Sequence, residues 1–366
     1  LIRRVALDVA PVRSQPAGVG LYVARLAREL TRIGVPEIAL IGMRDEASGL
    51  EDAAAHASAV RSFSGRSYHA WLQLAADQQA RSTGAQLVHY TNAAAPFVSR
   101  LPFVLTVHDL SVARMPRTHP AARWPILAVN VPAIARARAI IVPSAFTARE
   151  LRRMGVSTRR VTVVPHAPTL SSPEGDAGVE VALRRFGLNR GEYVVSVGTL
   201  EPRKNAAGLV AAFERVAAEQ PDLKLVLVGA TGWHYAGIER RIDDSPARDQ
   251  IVLTGYLPAD EVADLIVGSG TFAYVSLYEG FGMPVLDAMA LGAAVVTSRT
   301  TSLPEAAGGA AVLVDPRDPD DIARGIREAL SRRSELVAAG RQRAEGWTWT
   351  DVAAAHIEVY RRALAD

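Results

Sequence analysis

Short runs of β-branched and other apolar residues, four or five long, recur along this chain with amphipathic stretches between them, and the pattern occurs twice. In the first half Val5–Val9, Ile38–Ile41, Leu87–Tyr90, Phe103–Val107 and Ala139–Val142 read as strands, with Gly20–Ile33 and Trp71–Arg81 as amphipathic helices. Residues 166–190 begin with Pro, Ser, Gly and acid, as a linker before a short helix does. The alternation then restarts with Tyr193–Val197, Lys224–Val228, Ile251–Thr254, Phe272–Val275 and Ala294–Thr297, and with Ala206–Ala218, Ala259–Val267, Pro284–Leu291 and Ile322–Leu330 as helices. Strands of this kind separated by helices make parallel sheets, so the expectation is an α/β protein of two tandem, Rossmann-like, doubly wound domains with a cleft between them. No repeat at a fixed period is visible, so the halves share architecture only.

Composition narrows the function classes. A chain of 366 residues suits two domains, and 49% hydrophobic with 22% charged residues is a globular balance. No apolar run approaches the roughly 18 residues of a spanning helix. The absence of cysteine removes disulfide and thiolate chemistry, and with no basic-then-apolar leader at Leu1 the expected location is cytoplasmic. The net charge of +3 conceals an asymmetry: residues 1–165 hold 21 arginines against 10 acids, whereas residues 166–366 hold 20 basic residues against 28 acids. Between Arg114 and Arg160 ten arginines face one acid, Glu150. Such a patch suits an anionic membrane surface, which would place the protein peripherally on the inner face of the plasma membrane. Solvated helix faces account for the same arginines equally well. Nucleic acid is disfavoured as a partner, because aromatic residues are not interleaved in the stacking manner.

Ligands of open parallel sheets sit beyond the carboxyl ends of strands, and two loops there carry chemistry. Phe272–Val275 runs into Leu277-Tyr278-Glu279-Gly280-Phe281-Gly282-Met283-Pro284 and then an apolar helix containing Asp287. Pro284 suits a first helical position, and the amides from Gly280 to Met283 with the positive helix end make a site for phosphate. Glu279 would stand beside whatever the phosphate carries, and Asp287 can point into the same pocket. The second loop, Gly198-Thr199-Leu200-Glu201-Pro202-Arg203-Lys204-Asn205, brings adjacent cations to a strand end. Only two of the 41 basic residues are lysines, Lys204 and Lys224, which makes a lysine in this loop unusual and points to a phosphate contact.

Together the loops resemble the donor site of the retaining GT-B glycosyltransferases of family 4, which include bacterial mannosyl- and glucosyltransferases. The resemblance spans nearly the whole chain: Gly18-Val19-Gly20, Thr106-Val107-His108-Asp109, Val142-Pro143-Ser144, Val163-Val164-Pro165-His166, Thr254-Gly255-Tyr256-Leu257, Ser302-Leu303-Pro304-Glu305 and Trp347-Thr348-Trp349 before a final helix. It implies an acceptor-binding domain over residues 1–168, rejoined by a crossover helix at about 348–366, and a nucleotide-sugar-binding domain over 169–347. By the same resemblance Arg203 and Lys204 hold the donor diphosphate and Glu279 contacts the sugar hydroxyls. His108 is the histidine near the transferred sugar. Gly18 and Gly20 match a loop close to the diphosphate, Tyr256 and Leu257 flank the base, and Phe281, Gly282, Met283 and Pro284 complete the donor-binding set. Asp287 takes the position that grips the ribose, where the family usually has Glu.

The implied reaction is transfer of a hexose, mannose-like by preference, from a nucleotide-diphosphate sugar such as GDP-mannose to a hydroxyl of a glycan, glycolipid or lipid-linked acceptor. The resemblance implies no cofactor and no metal, and the histidines show no metal-ligand spacing. Donor base, acceptor and oligomeric state are left open. An epimerase or hydrolase acting on sugar nucleotides shares the fold and is the alternative enzyme class; a non-catalytic sugar-phosphate binding protein is the alternative outside enzymes. Asp318-Pro319-Asp320 imitates the metal-binding Asp-x-Asp of other glycosyltransferases, but its place before an amphipathic helix reads as a cap. Gly18-Val19-Gly20 lacks the third glycine of a dinucleotide fingerprint, and Pro11 and Pro16 make the loop too long for that turn. His89 and Asn92 follow a strand and are left without a role, while Tyr90 and Ala93–Ala95 read as packing.

Overall fold

The computed structural model describes residues 2–12, 18–43, 50–63 and 67–365; Pro16 of the early glycine loop lies outside them. The chain divides into two compact units, one of residues 1–114, 122–169 and 347–366, the other of residues 115–121 and 170–346.

The first unit is built on seven strands, β1 (Arg4–Asp8), β2 (Glu37–Met43), β3 (Ala59–Phe63), β4 (Leu87–Tyr90), β5 (Phe103–Thr106), β6 (Ala139–Val142) and β7 (Val161–Val163). The second has six, β8 (Tyr193–Val197), β9 (Lys224–Val228), β10 (Ile251–Gly255), β11 (Thr271–Tyr274), β12 (Val295–Ser298) and β13 (Val312–Val314). The sheets run β3-β2-β1-β4-β5-β6-β7 and β10-β9-β8-β11-β12-β13, with every pairing parallel. Each therefore reverses its order beside its first strand, between β1 and β4 in one sheet and between β8 and β11 in the other. Crossovers leave on opposite faces at such a point, and the loops diverge to form a crevice.

Central strands are apolar on both faces because helices cover both: β4, β5, β6, β11 and β12 are buried throughout. The edge strands β3, β7 and β13 expose residues and are only three to five residues long, so the sequence reading passed over them. Trp71–Arg81, read as one helix, is two, Tyr68–Leu74 and Ala76–Ser82, broken at Ala75 with φ −127°. Trp71 is fully buried and its indole N–H donates to Gln79 Oε1 at 2.8 Å. Residues 115–121 group with the second unit, where Trp233 Nε1 donates to Thr118 O at 2.5 Å and the indole stacks on His119.

The final helix, Trp349–Ala365, packs in the first unit through a buried polar chain. Val352, His356 and Tyr360 recur every four residues and so share one face. His356 Nδ1 lies 2.7 Å from Val352 O, an acceptor only, so that nitrogen carries the proton and Nε2 accepts from Tyr22 Oη at 2.8 Å. Tyr22 oxygen then accepts from the Thr106 hydroxyl at 3.1 Å, Thr106 Oγ1 accepts from His89 Nε2 at 2.7 Å, and His89 Nδ1 accepts from Tyr360 Oη at 2.8 Å. With both imidazoles kept neutral by burial, every proton in the chain is thereby assigned. His89 is thus structural: it is fully buried with both nitrogens engaged. Tyr90 and Ala93–Ala95 are buried, as the packing reading expected.

Burial pushes the His356 and His108 imidazoles down from 6.5 to about 4, and those of His89 and His166 well below the ordinary value. In the unfolded chain His356 and His108 bind protons at the higher value, so the stability each contributes is complete above pH 6.5 and is lost as pH falls toward about 4, while the contributions of His89 and His166, held lower still, go on being lost below that. Asp8, whose buried carboxyl is raised to about 7, works in the opposite direction over the same range, so the test is a comparison: from about pH 7 to about pH 4.5 the urea midpoint should lose more in the wild type than after replacing His89 and His356 by Gln. The same pH dependence in both proteins would contradict the neutral network.

Candidate active site

The switch point of the second sheet places the two anion loops side by side. β8 pairs directly with β11, Val194 with Thr271 and Val195 with Phe272, so the segments after them leave the same edge although they lie more than seventy residues apart in sequence. β8 and β9 are followed by Gly198 and Gly229, with φ 150° and 148°, and a Cβ on Gly229 would lie 2.2 Å from Gly198 O. Only glycine allows this close divergence of the two chains.

Backbone and side-chain bonds then lock the loops together. Residues Pro202–Lys204 form a 3-10 turn ending at Asn205, whose φ of 63° redirects the chain into the helix Ala206–Ala217. Asn205 Nδ2 donates to Val275 O at 3.1 Å and to Pro316 O at 2.6 Å, and Leu277 N donates to Arg203 O at 2.9 Å. From the other side Ser302 Oγ is 2.9 Å from both Glu279 O and Phe281 O, and Ser298 Oγ donates to Ser276 O at 2.7 Å. Gly282, with φ 114°, turns the loop into the helix Met283–Ala290, and Pro284 occupies its first turn.

The side chains so positioned form one ionic cluster. Lys204 Nζ lies 2.6 Å from Glu279 Oε1 and 2.6 Å from Tyr274 Oη, and Tyr274 Oη donates to the same carboxylate oxygen at 2.9 Å. Arg203 Nη1 donates to Glu279 Oε2 at 3.0 Å and to Tyr278 O at 2.9 Å, while Arg203 Nη2 is 2.8 Å from Glu201 Oε1. Burial alone would raise the Glu279 carboxyl, but Lys204 and Arg203 outweigh it and hold the group down to about 2. Burial likewise acts to lower Lys204, and the facing Glu279 and Tyr274 reverse it. The Glu201 carboxyl is raised by burial, with Arg203 opposing. The cluster thus brings two cations and two carboxyl groups together.

Of the sequence candidates, then, Arg203, Lys204 and Glu279 meet. Asp287, in the second turn of its helix, accepts the Leu170 N–H at 3.0 Å, so part of its bonding capacity is used on the backbone where the second unit begins. Phe281 and Leu257 pack in the hydrophobic core, Met283 is partly buried against that core, and Tyr256 is left exposed after the positive-φ turn at Gly255. In the first unit Gly18, φ 50°, precedes the helix Val19–Ile33, and Gly20 is buried in its first turn. His108 follows β5; its Nε2 donates to Thr91 O at 2.9 Å and its ring stands edge-on to Tyr22. Asp109 does not orient it, accepting instead from Ser111 N at 2.8 Å. A neutral His108 with Nε2 protonated offers Nδ1 as an acceptor.

Asp318 caps the helix Pro319–Ser331 by accepting from Asp320 N and Asp321 N, as its position before a helix suggested. Several arginines of the basic segment serve structure: Arg114 and Arg153 pair with Glu150, and Arg160 Nη1 bonds the carbonyls of Ala135 and Ala137 at the end of the helix Leu127–Arg136. The sequence reading missed Glu201 and Tyr274. Glu201 stands two residues before Arg203, and an acid beside a lone pair of cations in a strand-end loop was the available signal. Tyr274 shares a strand face with Phe272 and reads as core.

The family model described as "Glycosyltransferase Family 4" matches residues 16–169, and that described as "Glycosyl transferases group 1" matches residues 184–347. The chain is 31% identical over 265 residues to the O-antigen chain mannosyltransferase B of Escherichia coli, covering 70% of each. It is 33% identical over 180 residues to the serotype-specific mannosyltransferase WbdA of Escherichia coli, which involves 47% of this chain and 22% of that longer protein. Among solved structures, HepE of Anabaena in complex with UDP and glucose is similar with a TM-score of 0.75 at 16% identity, over 99% of this chain and 100% of that one. The two parallel sheets with their shared strand order are those of the GT-B fold, and the chain belongs to the family 4 glycosyltransferases.

Proposed function

We propose that the protein is a retaining, metal-independent hexosyltransferase that takes a mannose-like sugar from a nucleotide-diphosphate donor, with GDP-mannose favoured, and passes it to a glycan, glycolipid or lipid-linked acceptor. The observation that carries this reading is the convergence of Arg203, Lys204 and Glu279 at the switch point between β8 and β11. The mannosyltransferase names of the relatives support the choice of sugar.

In the proposed reaction the bond from the anomeric carbon to the donor phosphate oxygen breaks and a bond from the acceptor oxygen forms on the same face. The acceptor proton passes to the departing phosphate oxygen. Arg203 and Lys204 meet the charge that grows on the leaving diphosphate, in a half-buried setting where such contacts are stronger than in water. Glu279 contacts sugar hydroxyls and acts as no nucleophile, and His108 accepts a hydrogen bond from a sugar hydroxyl through Nδ1. Within this proposal the second unit binds the donor, with Asp287, Tyr256 and the Gly280–Pro284 segment toward the nucleotide, and the first unit binds the acceptor.

Lys204→Ala should lower kcat about 10²- to 10³-fold, the usual loss for one electrostatic contact to a developing charge, and Glu279→Ala should lower it too, through the lost contact with the sugar hydroxyls. The assay follows nucleoside diphosphate release with donor alone and with donor plus acceptor. Release that depends on acceptor supports a transferase. Equal release or isomerisation without acceptor would point to the epimerase or hydrolase alternative, and no sustained release would point to a binding protein.

No helix among the described residues is long and apolar enough to cross a membrane. We propose peripheral docking through the basic first half, where Trp124 is 51% exposed within the arginine-rich segment. The protein should float with vesicles containing acidic lipid and be released by salt; binding indifferent to lipid charge would contradict this.

A further inference from the structure

The cations assigned above to the donor diphosphate are already neutralised by this chain's own acids. Leaving two half-buried cations unpaired would be costly, so some anion has to accompany them when no donor is bound. Glu201 and Glu279 supply it, but they are not equivalent. Glu201 is the more deeply buried side chain, 3% exposed against 10% for Glu279, and it engages Arg203 through Nε at 3.1 Å and Nη2 at 2.8 Å. Its backbone is fixed too, with Glu201 N bonded to Thr199 O and the neighbouring Leu200 bonded to Ala230 and Gly232. Glu279 instead bridges the two cations, one oxygen on Arg203 at 3.0 Å and the other on Lys204 at 2.6 Å. Two oxygens of a phosphate would need the same pair of donors.

We propose that Glu279 is an exchangeable counter-ion, and Glu201 the permanent one. In the unliganded enzyme the Glu279 carboxylate occupies the places of two diphosphate oxygens. The arriving donor takes over its bonds to Arg203 and Lys204 and frees it for the sugar. After transfer Glu279 returns to the cations and helps expel the nucleoside diphosphate. The exchange needs only side-chain rotation, because Ser302 continues to hold the Glu279 carbonyl. Tyr274 Oη, 2.6 Å from Lys204 Nζ and 2.9 Å from Glu279 Oε1, keeps Lys204 aimed at the site while the carboxylate leaves. The inference rests on the donor-site reading given above.

Glu279→Gln keeps the shape but competes poorly for the cations, so it should bind a nucleoside diphosphate more tightly than the wild type while turning over more slowly. Calorimetric titration of the full chain with GDP and UDP should give a dissociation constant lowered about tenfold for whichever binds, the scale of one charge-assisted hydrogen bond. Glu279→Asp, too short to reach both cations, should fall between Gln and the wild type. Thermal unfolding without ligand checks that both variants are folded, and a merely structural role would weaken binding rather than strengthen it. Equal or weaker binding by folded Glu279→Gln, alongside wild-type binding that Lys204→Ala abolishes, would overturn the counter-ion exchange and leave the donor site standing. Failure of every nucleoside diphosphate to bind the wild type, or binding untouched by Lys204→Ala, would overturn both.

Discussion

Arg203, Lys204, Glu201 and Glu279 can be withdrawn from solvent together because each charge answers another, and the pairing of β8 with β11 is what makes them neighbours. Removing any one partner from such a cluster leaves an uncompensated charge, at a cost of roughly 3–5 kcal/mol where burial is complete. The surrounding sequence is arranged to avoid that. Asn205 turns the first loop back at positive φ, Ser302 and Ser298 hold the second by its carbonyls, and Gly198 and Gly229 let the chains part without a side chain between them. A rigid backbone with few side-chain freedoms at its centre is the arrangement that electrostatic catalysis needs, since preorganised charges spend nothing on reorientation as the reaction proceeds.

The first unit solves a different problem with uncharged groups. Its last helix comes from the far end of the sequence, and a hydrophobic face alone would leave its register weakly specified. The relay from Tyr360 through His89, Thr106 and Tyr22 to His356 pairs every one of its buried polar atoms, so a slipped helix would leave some of them unpaired. Trp347 and Trp349 add indole bonds to the carbonyls of Pro165 and Pro168 at 2.9 and 2.7 Å. His108 packs against Tyr22 of this relay, so the imidazole proposed to face the sugar has its orientation set by the same network.

How much of this the sequence disclosed depends on the range of the interaction. Strands buried on both faces announced themselves as apolar runs, and the strand-end glycines and the Arg203-Lys204 pair were visible because turn chemistry and charge are local. Edge strands such as Ala59–Phe63 did not, since partial exposure erases the periodicity. Partnerships across the fold were also hidden. Nothing near Asp287 signals that Leu170 donates to it, and nothing near His89 signals that Tyr360 will lie 2.8 Å away. Tyr274 reads as a core aromatic until its hydroxyl is seen between Lys204 and Glu279.

The two loops at the β8 and β11 ends are proposed above to form a single site for the donor diphosphate. A crystal structure of the wild-type protein with a nucleoside diphosphate addresses it most directly. Phosphate oxygens should lie within hydrogen-bond distance of both Arg203 and Lys204 Nζ, with the Glu279 carboxylate turned away from the cations. A bound nucleotide whose phosphates lie elsewhere, with the Glu279 bonds to Arg203 and Lys204 unchanged, would contradict it.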